Sequence, residues 1–177
     1  MKTVFFDVDT QIDFVFPAGA LYVPGAEGIL PLIGRLNRFA TGNNIAVVST
    51  MDAHSENDPE FLHWPPHCVV GCNGQRKPAQ TLVESQILLE KQTFDCFSNP
   101  NLLGLLAELG AERYVVYGVV TEICVKMAAF GLLKTGARVE VVSDAVRSLK
   151  SEAAETMLAE FRAAGGAVTD IGAVLGG

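Results

Sequence analysis

Apolar, β-branched runs alternate along this chain with stretches whose apolar residues recur at helical spacing. "TVFFDVD" (3–9), "IAVVST" (45–50), "ILLEK" (87–91), "YVVYGVV" (114–120) and "RVEVVSD" (138–144) predict strands, and a last short one is expected around "AVTDI". The middles of several are apolar at consecutive positions, as in strands covered on both faces. Between them, 27–41, 100–110, 121–135 and 150–164 carry the helical period, with Gly110, Gly136 and Gly165 where helices should stop. This βαβα rhythm predicts an α/β fold in which helices cover both faces of a parallel sheet. Segment 51–85 breaks the rhythm, with Pro59, Pro65, Pro66, Pro78 and all three histidines. Long loops inside a compact domain are usually functional.

Several polar residues fall at strand ends in this frame. Asp9 closes the first strand, Asp52 follows the second, Lys91 ends the third and Cys124 lies just past the fourth. All four therefore belong to the carboxyl edge of the sheet, where open α/β folds bind ligands.

Composition narrows the partners. The chain has 177 residues, within the range of one well-buried core, so a single domain over 1–177 is expected. A net charge of −7 with no basic cluster offers no footprint for nucleic acid or an anionic membrane, which leaves a small molecule as the expected partner. No apolar run approaches a membrane span, and Asp7, Asp9 and Asp13 interrupt what would be the apolar core of a signal peptide. Cysteines at 68, 72, 96 and 124 are too few and too irregular for a disulfide scaffold, so reduced thiols and a cytoplasmic location are expected.

Cys124 sits in "GVVTEICVKMAAFG". With Thr121 as N-cap it would be the third residue of a helix, where free N–H groups and the helix dipole favour a thiolate and can hold an oxyanion. A buried structural cysteine is the competing reading. Lys91 would bring a cation that lowers a thiol pKa, unless it is a plain strand-end lysine. Asp9 suits a general acid/base, or a structural acceptor for loop N–H groups. Asp7 and Asp13 compete with it; Asp9 is preferred because it stands at the strand end, and Asp13 is expected to orient the following loop. The helix at 121–135 is apolar nearly all round, which predicts deep burial or a subunit contact.

A second constellation follows the second strand. "STMDAH" places Asp52 and His54 on one side of an extended chain, and His67 follows in "WPPHC" after a loop that can fold back. One carboxylate and two imidazoles suit Zn²⁺, Mn²⁺ or Fe²⁺ in an open site. A structural zinc site at His63, His67, Cys68 and Cys72 matches such sites poorly, because C-x3-C lacks a second ligand pair. His63 is expected to cap or bridge loop backbone.

"DTQIDF" (9–14), "GALYVPGAEGI" (19–29), "STMDAH" (49–54), "WPPHCVVGCNG" (64–74), "EKQTFDCFS" (90–98) and "GVVTEICV" (118–125) resemble, in order and spacing, the isochorismatase-like cysteine hydrolases, within them the nicotinamidase/pyrazinamidase branch. The resemblance implies a three-layer α/β/α fold around a central, mainly parallel sheet, and an oligomer. It implies catalytic roles for Asp9, Lys91 and Cys124, a divalent metal, zinc before manganese or iron, on Asp52, His54 and His67, and an aromatic ring held between Phe14 and Trp64. It also implies a cis Val119–Val120 peptide turning the N–H groups of Val120 and Cys124 toward an oxyanion. The implied reaction converts nicotinamide to nicotinate and ammonia through a Cys124 thioester. A related hydrolase of another small amide, N-carbamoyl compound or ureide is the alternative, followed by a catalytically silent binding module. The chain departs from the pattern at Asp58 and Glu60, where relatives often have a histidine, at Ala53 and Ile123 in place of aromatics, and at Cys72 in place of Thr.

Overall fold

A computed structural model describes residues 1–176. Six strands, β1 (Thr3–Val8), β2 (Ala46–Asp52), β3 (Ile87–Lys91), β4 (Arg113–Val119), β5 (Arg138–Arg147) and β6 (Ala167–Thr169), pair in the order β3-β2-β1-β4-β5-β6. Every pairing is parallel. Six helices accompany them: α1 (Ile12–Val15), α2 (Leu30–Gly42), α3 (Leu102–Leu109), α4 (Lys126–Leu133), α5 (Ser151–Ala163) and α6 (Ile171–Gly176). No helix among the described residues is long and apolar enough to cross a membrane.

Alternation along β1 separates two cores. Val4, Phe6 and Val8 pack with Leu102 and Leu106 of α3, Ala128, Ala129 and Leu132 of α4, and Met157 and Phe161 of α5. Phe5 faces the other way, into a core with Phe14 of α1, Ile33 and Leu36 of α2, and Val174 of α6. The sheet is thus the middle of three layers, and its central strands are apolar at consecutive positions because both faces are covered.

The expected elements hold, with shifts at their ends. β2 runs on to Asp52 and β5 to Arg147, while β1 stops at Val8. Gly110, Gly136 and Gly165 all take positive φ, the left-handed conformation in which helices commonly end. α1 and α6 were not legible, since four and six residues are too short to display a helical period. The stretch 121–135 is not one helix: a π turn at Thr121–Val125 precedes α4. Thr121 is therefore not the N-cap. Val120 holds that position in extended conformation, and its carbonyl accepts the N–H of Ile123 at 3.1 Å and of Val125 at 3.0 Å. The wider turn places Cys124 one residue further into the helix than a cap at Thr121 would.

Strand order fixes where a site can form. The chain leaves β1 toward β2 and β3, then returns to place β4 on the opposite side of β1. The connections after β1 and β4 diverge to opposite faces and open a crevice at the carboxyl ends of these two strands. Gly118 permits the close approach there: at φ +118, a Cβ would lie 2.1 Å from the carbonyl oxygen of Val8.

The sheet also holds a buried carboxylate. Glu140 on β5 is 2% exposed; it accepts from Arg113 Nε at 3.0 Å and Nη2 at 2.6 Å, and lies 2.6 Å from Arg138 Nε. Burial by itself would raise this carboxyl, but Arg113 and Arg138 override it and hold it below its ordinary value of 4.5. The stabilisation is fully present above that ordinary value and is lost as pH falls through the depressed folded value. Glu140→Gln is expected to cost about 2 kcal/mol at neutral pH. Urea unfolding should show the gap to wild type shrinking in acid; a gap independent of pH would contradict the assignment.

Candidate active site

Asp9 follows β1 directly and takes a left-handed backbone conformation, φ 47°. That geometry is unfavourable for a residue with a Cβ and persists where the surroundings over-determine it. Its N–H reaches the Thr50 carbonyl at 3.2 Å, and Thr50 Oγ1 donates to Asp9 Oδ1 at 2.6 Å. The carboxylate is thereby fixed over the end of β2.

Lys91, at the end of β3, lies between two carboxylates. Its Nζ is 2.8 Å from Asp9 Oδ2 and pairs with Asp52 Oδ1, with all three residues buried. Burial would lower the ammonium's pKa, but the negative charges of Asp9 and Asp52 override it and keep Lys91 charged. Burial also raises the Asp9 carboxyl, with Asp52 adding to the rise and Lys91 opposing it.

Cys124 joins this group from the π turn after β4. The expectation that the turn and Lys91 would favour a thiolate is not met in the free site. Burial pushes the thiol well above its usual range, Asp9 and Asp52 raise it further, and Lys91 only partly offsets them. A hydrogen bond with Asp9 also favours the protonated form. The group is thus a neutral thiol beside a carboxylate of raised pKa, and ionisation of Cys124 calls for proton transfer to that neighbour.

Asp7 has a different place. It is fully buried, 3.3 Å from Lys77 Nζ and 3.1 Å from Ser49 Oγ, and also accepts from Thr10. Its contacts fasten the end of the long 51–85 loop to the sheet. Asp13 orients its loop as expected: Oδ1 accepts from Ala20 N at 3.0 Å and Oδ2 from Cys68 N at 2.7 Å. Only a glycine fits opposite, because a Cβ on Gly74 would lie 2.1 Å from that carboxylate.

The loop folds back to bring Asp52, His54 and His67 together, with ligating atoms all within 4.8 Å of one another. Asp52 Oδ2 is 3.8 Å from Nε2 of each histidine, while its Oδ1 is engaged by Lys91. His67 Nδ1 is held by the Pro65 carbonyl at 2.8 Å, which leaves Nε2 for the cluster. His54 is fully buried and neither ring nitrogen makes a well-formed hydrogen bond, although Asp58 Oδ2 stands 3.0 Å from Nδ1. A buried imidazole without hydrogen bonds, facing a carboxylate and a second imidazole, fits a divalent cation. Among the described residues no other group of His, Cys, Asp and Glu has this geometry, and neither Cys68, which is buried, nor Cys72, which is exposed, belongs to it. His63 caps a short helical turn through its N–H, bonded to the Glu60 carbonyl at 2.9 Å.

A cavity of about 140 Å³ opens over these groups. Asp9, Asp52, Glu60, His67 and Cys124 give it a polar floor, and Phe14, Leu21, Trp64, Phe94, Ile123 and Leu149 form apolar walls. Phe14 is buried with its ring 5.4 Å from that of His67, whereas Trp64 is part exposed at the rim. A larger groove of about 480 Å³ beside α4 holds none of the clustered residues and is shallower chemically, with Lys126 and Lys134 at its edge.

Four residues here carry roles that the sequence did not assign. Glu60 lines the cavity, and its Oε1 lies 3.9 Å from His67 Nε2. Phe94 and Leu149 looked like ordinary loop residues. Gln11, quoted within "DTQIDF" without a role, is fully buried; it accepts from Asp52 N at 2.7 Å and donates to Asp52 O at 2.9 Å. This side chain imitates a neighbouring strand and fixes the backbone of the cluster's carboxylate. The Val119–Val120 peptide is cis.

Comparisons with known proteins identify the family. The chain is 28% identical over 176 residues to a nicotinamidase of Acinetobacter baylyi, covering 80% of this chain and 79% of that one. A pyrazinamidase of Pyrococcus horikoshii, solved in complex with zinc, superposes with a TM-score of 0.90 at 30% identity, covering 96% of this chain and 99% of that one. A nicotinamidase of Bacillus subtilis gives 0.88 at 25% identity, with 96% and 100% covered. The isochorismatase domain matches residues 3–173. With a family match over nearly its whole length, and nicotinamidases and pyrazinamidases among its relatives in sequence and in structure, the chain belongs to the isochorismatase family, on its nicotinamidase/pyrazinamidase branch.

Proposed function

We propose that this amidohydrolase converts nicotinamide to nicotinate and ammonia, with Cys124 as nucleophile, Asp9 as general acid/base and Lys91 as the cation that holds the two carboxylates in place. The observation that carries the reading is the joining of one thiol and one carboxylate of raised pKa at the floor of an apolar cavity, with a buried ammonium paired to that carboxylate. Its volume of about 140 Å³ is close to the ~150 Å³ of a cavity known to take a single benzene ring. Phe14 and Trp64 would bracket that ring.

Asp9 takes the thiol proton as sulfur attacks the carboxamide carbon, forming the C–S bond. The N–H groups of Val120 and Cys124 hold the resulting oxyanion. Collapse breaks the C–N bond, and Asp9 returns its proton to the departing nitrogen, so ammonia leaves and a thioester remains. Asp9 then takes a proton from water as the oxygen adds to the thioester. The second collapse breaks the C–S bond, yields the carboxylic acid and restores the thiol. Asp52, His54 and His67 would hold the divalent metal, which supplies a Lewis-acid site for the ring nitrogen or for water.

Charge separates this substrate from an N-carbamoyl amino acid. The cavity walls present Asp9, Asp52 and Glu60 and no arginine, and Lys91 is occupied between two carboxylates. Apart from the metal, a substrate carboxylate would meet negative charge with no free cationic side chain to pair it. An ammonia-release screen is expected to show turnover of nicotinamide and pyrazinamide, and none of N-carbamoylsarcosine. Metal analysis of the same sample should find about one zinc, manganese or iron per chain. Preference for the N-carbamoyl compound, or a metal-free active protein, would overturn the assignment.

A further inference from the structure

Glu122 stands two residues before Cys124, and its carboxylate reaches across to the connection between β5 and α5. Oε1 accepts the backbone N–H of Leu149 at 2.9 Å and of Lys150 at 3.1 Å. Lys150 is the N-cap residue of α5 and makes no side-chain cap bond, so Glu122 takes over as acceptor at the start of that helix. The other oxygen, Oε2, is shut away from solvent without a partner. Such an oxygen costs stability and calls for an explanation beyond packing.

Leu149 is what the tether holds. It lines the cavity over Cys124 and is 38% exposed, so packing covers only part of its side chain. A segment of this kind is held by its few hydrogen bonds. Ile123, adjacent to Glu122, forms another part of the wall. One carboxylate thus ties the turn that carries the nucleophile to the loop that carries the cavity's outer wall.

We infer that Glu122 is a positioning residue for the ring pocket: by holding the N–H groups of Leu149 and Lys150 it keeps Leu149 against the bound ring, without touching the substrate itself. This rests on the nicotinamide reading above. The carboxylate acts through Leu149, so its removal loosens substrate binding more than it slows chemistry.

Steady-state kinetics on nicotinamide, normalised to the concentration of folded protein, test this. Glu122→Ala is expected to raise KM roughly tenfold, the size of losing an apolar wall contact, with a smaller change in kcat. Leu149→Ala, on an exposed loop, should raise KM by a similar factor, and the double variant no further. Glu122→Gln keeps a carbonyl oxygen that can accept both N–H groups and should restore the wild-type KM. Additive effects in the double variant, a Gln variant as impaired as Ala, or unchanged KM in Leu149→Ala would each overturn the inference. If wild type releases no ammonia from nicotinamide, the substrate reading fails and takes this inference with it; turnover with an unaffected KM in Glu122→Ala removes the inference alone.

Discussion

Replacing Cys124 by alanine is expected to lower ammonia release from nicotinamide by about 10⁴-fold or more, because no other group beside the cavity floor can form the acyl intermediate. The fold should survive. Cys124 is buried at the edge of one core, next to Ala128 and Val125, and losing a sulfur there leaves a small void at a cavity that is already open. Thermal unfolding within a few degrees of wild type, together with the loss of turnover, would isolate the chemistry from stability. The free thiol's raised pKa adds a second reading of the same residue. Alkylation by iodoacetamide at neutral pH should be slow in the empty site, since the thiolate is the reactive form. Residual turnover in Cys124→Ala above about a tenth of wild type would remove the thioester route and leave metal-assisted hydrolysis as the explanation.

Lys91→Met should harm both stability and activity. Among the described residues its ammonium is the only side-chain cation between the buried carboxylates of Asp9 and Asp52. Methionine fills similar space but leaves two largely buried negative groups facing each other. Breaking a buried pair in this way costs about 3–5 kcal/mol. The carboxylates can escape the cost only by binding a proton, and Asp9, whose pKa burial already raises, is the one to take it. A protonated Asp9 accepts nothing from Cys124, so kcat is expected to fall by about 10³-fold, in line with losing a general base. Urea unfolding and kcat measured on the same preparation check both halves. A variant as stable as wild type, or one that keeps its turnover, would show that Lys91 is not the countercharge of this cluster.

The linkage between sequence and site differs from residue to residue. Asp9, Asp52, Lys91 and Cys124 were placed at one sheet edge by strand periodicity alone, because a parallel sheet sends every strand end to the same side. The histidine spacing was also legible, since "DAH" in extended chain puts both side chains on one face. Gln11, Glu60, Phe94 and Leu149 were not. Their roles depend on loops that close on the crevice from different parts of the chain, and no local period records such a meeting.

Periodicity, turn glycines and the strand-end positions of four polar residues determined the layers of this protein and the edge at which its chemistry gathers, because those follow from local burial patterns. Tertiary structure alone decided the state of the groups. It gave Lys91 two carboxylates rather than one, turned the expected thiolate of Cys124 into a thiol, moved the start of its turn to Val120, and let Glu122 reach a loop 27 residues away in sequence. The reason is physical: a pKa, an ion pair or a tether is set by what lies within a few ångströms, and in an α/β fold those neighbours come from strands far apart along the chain.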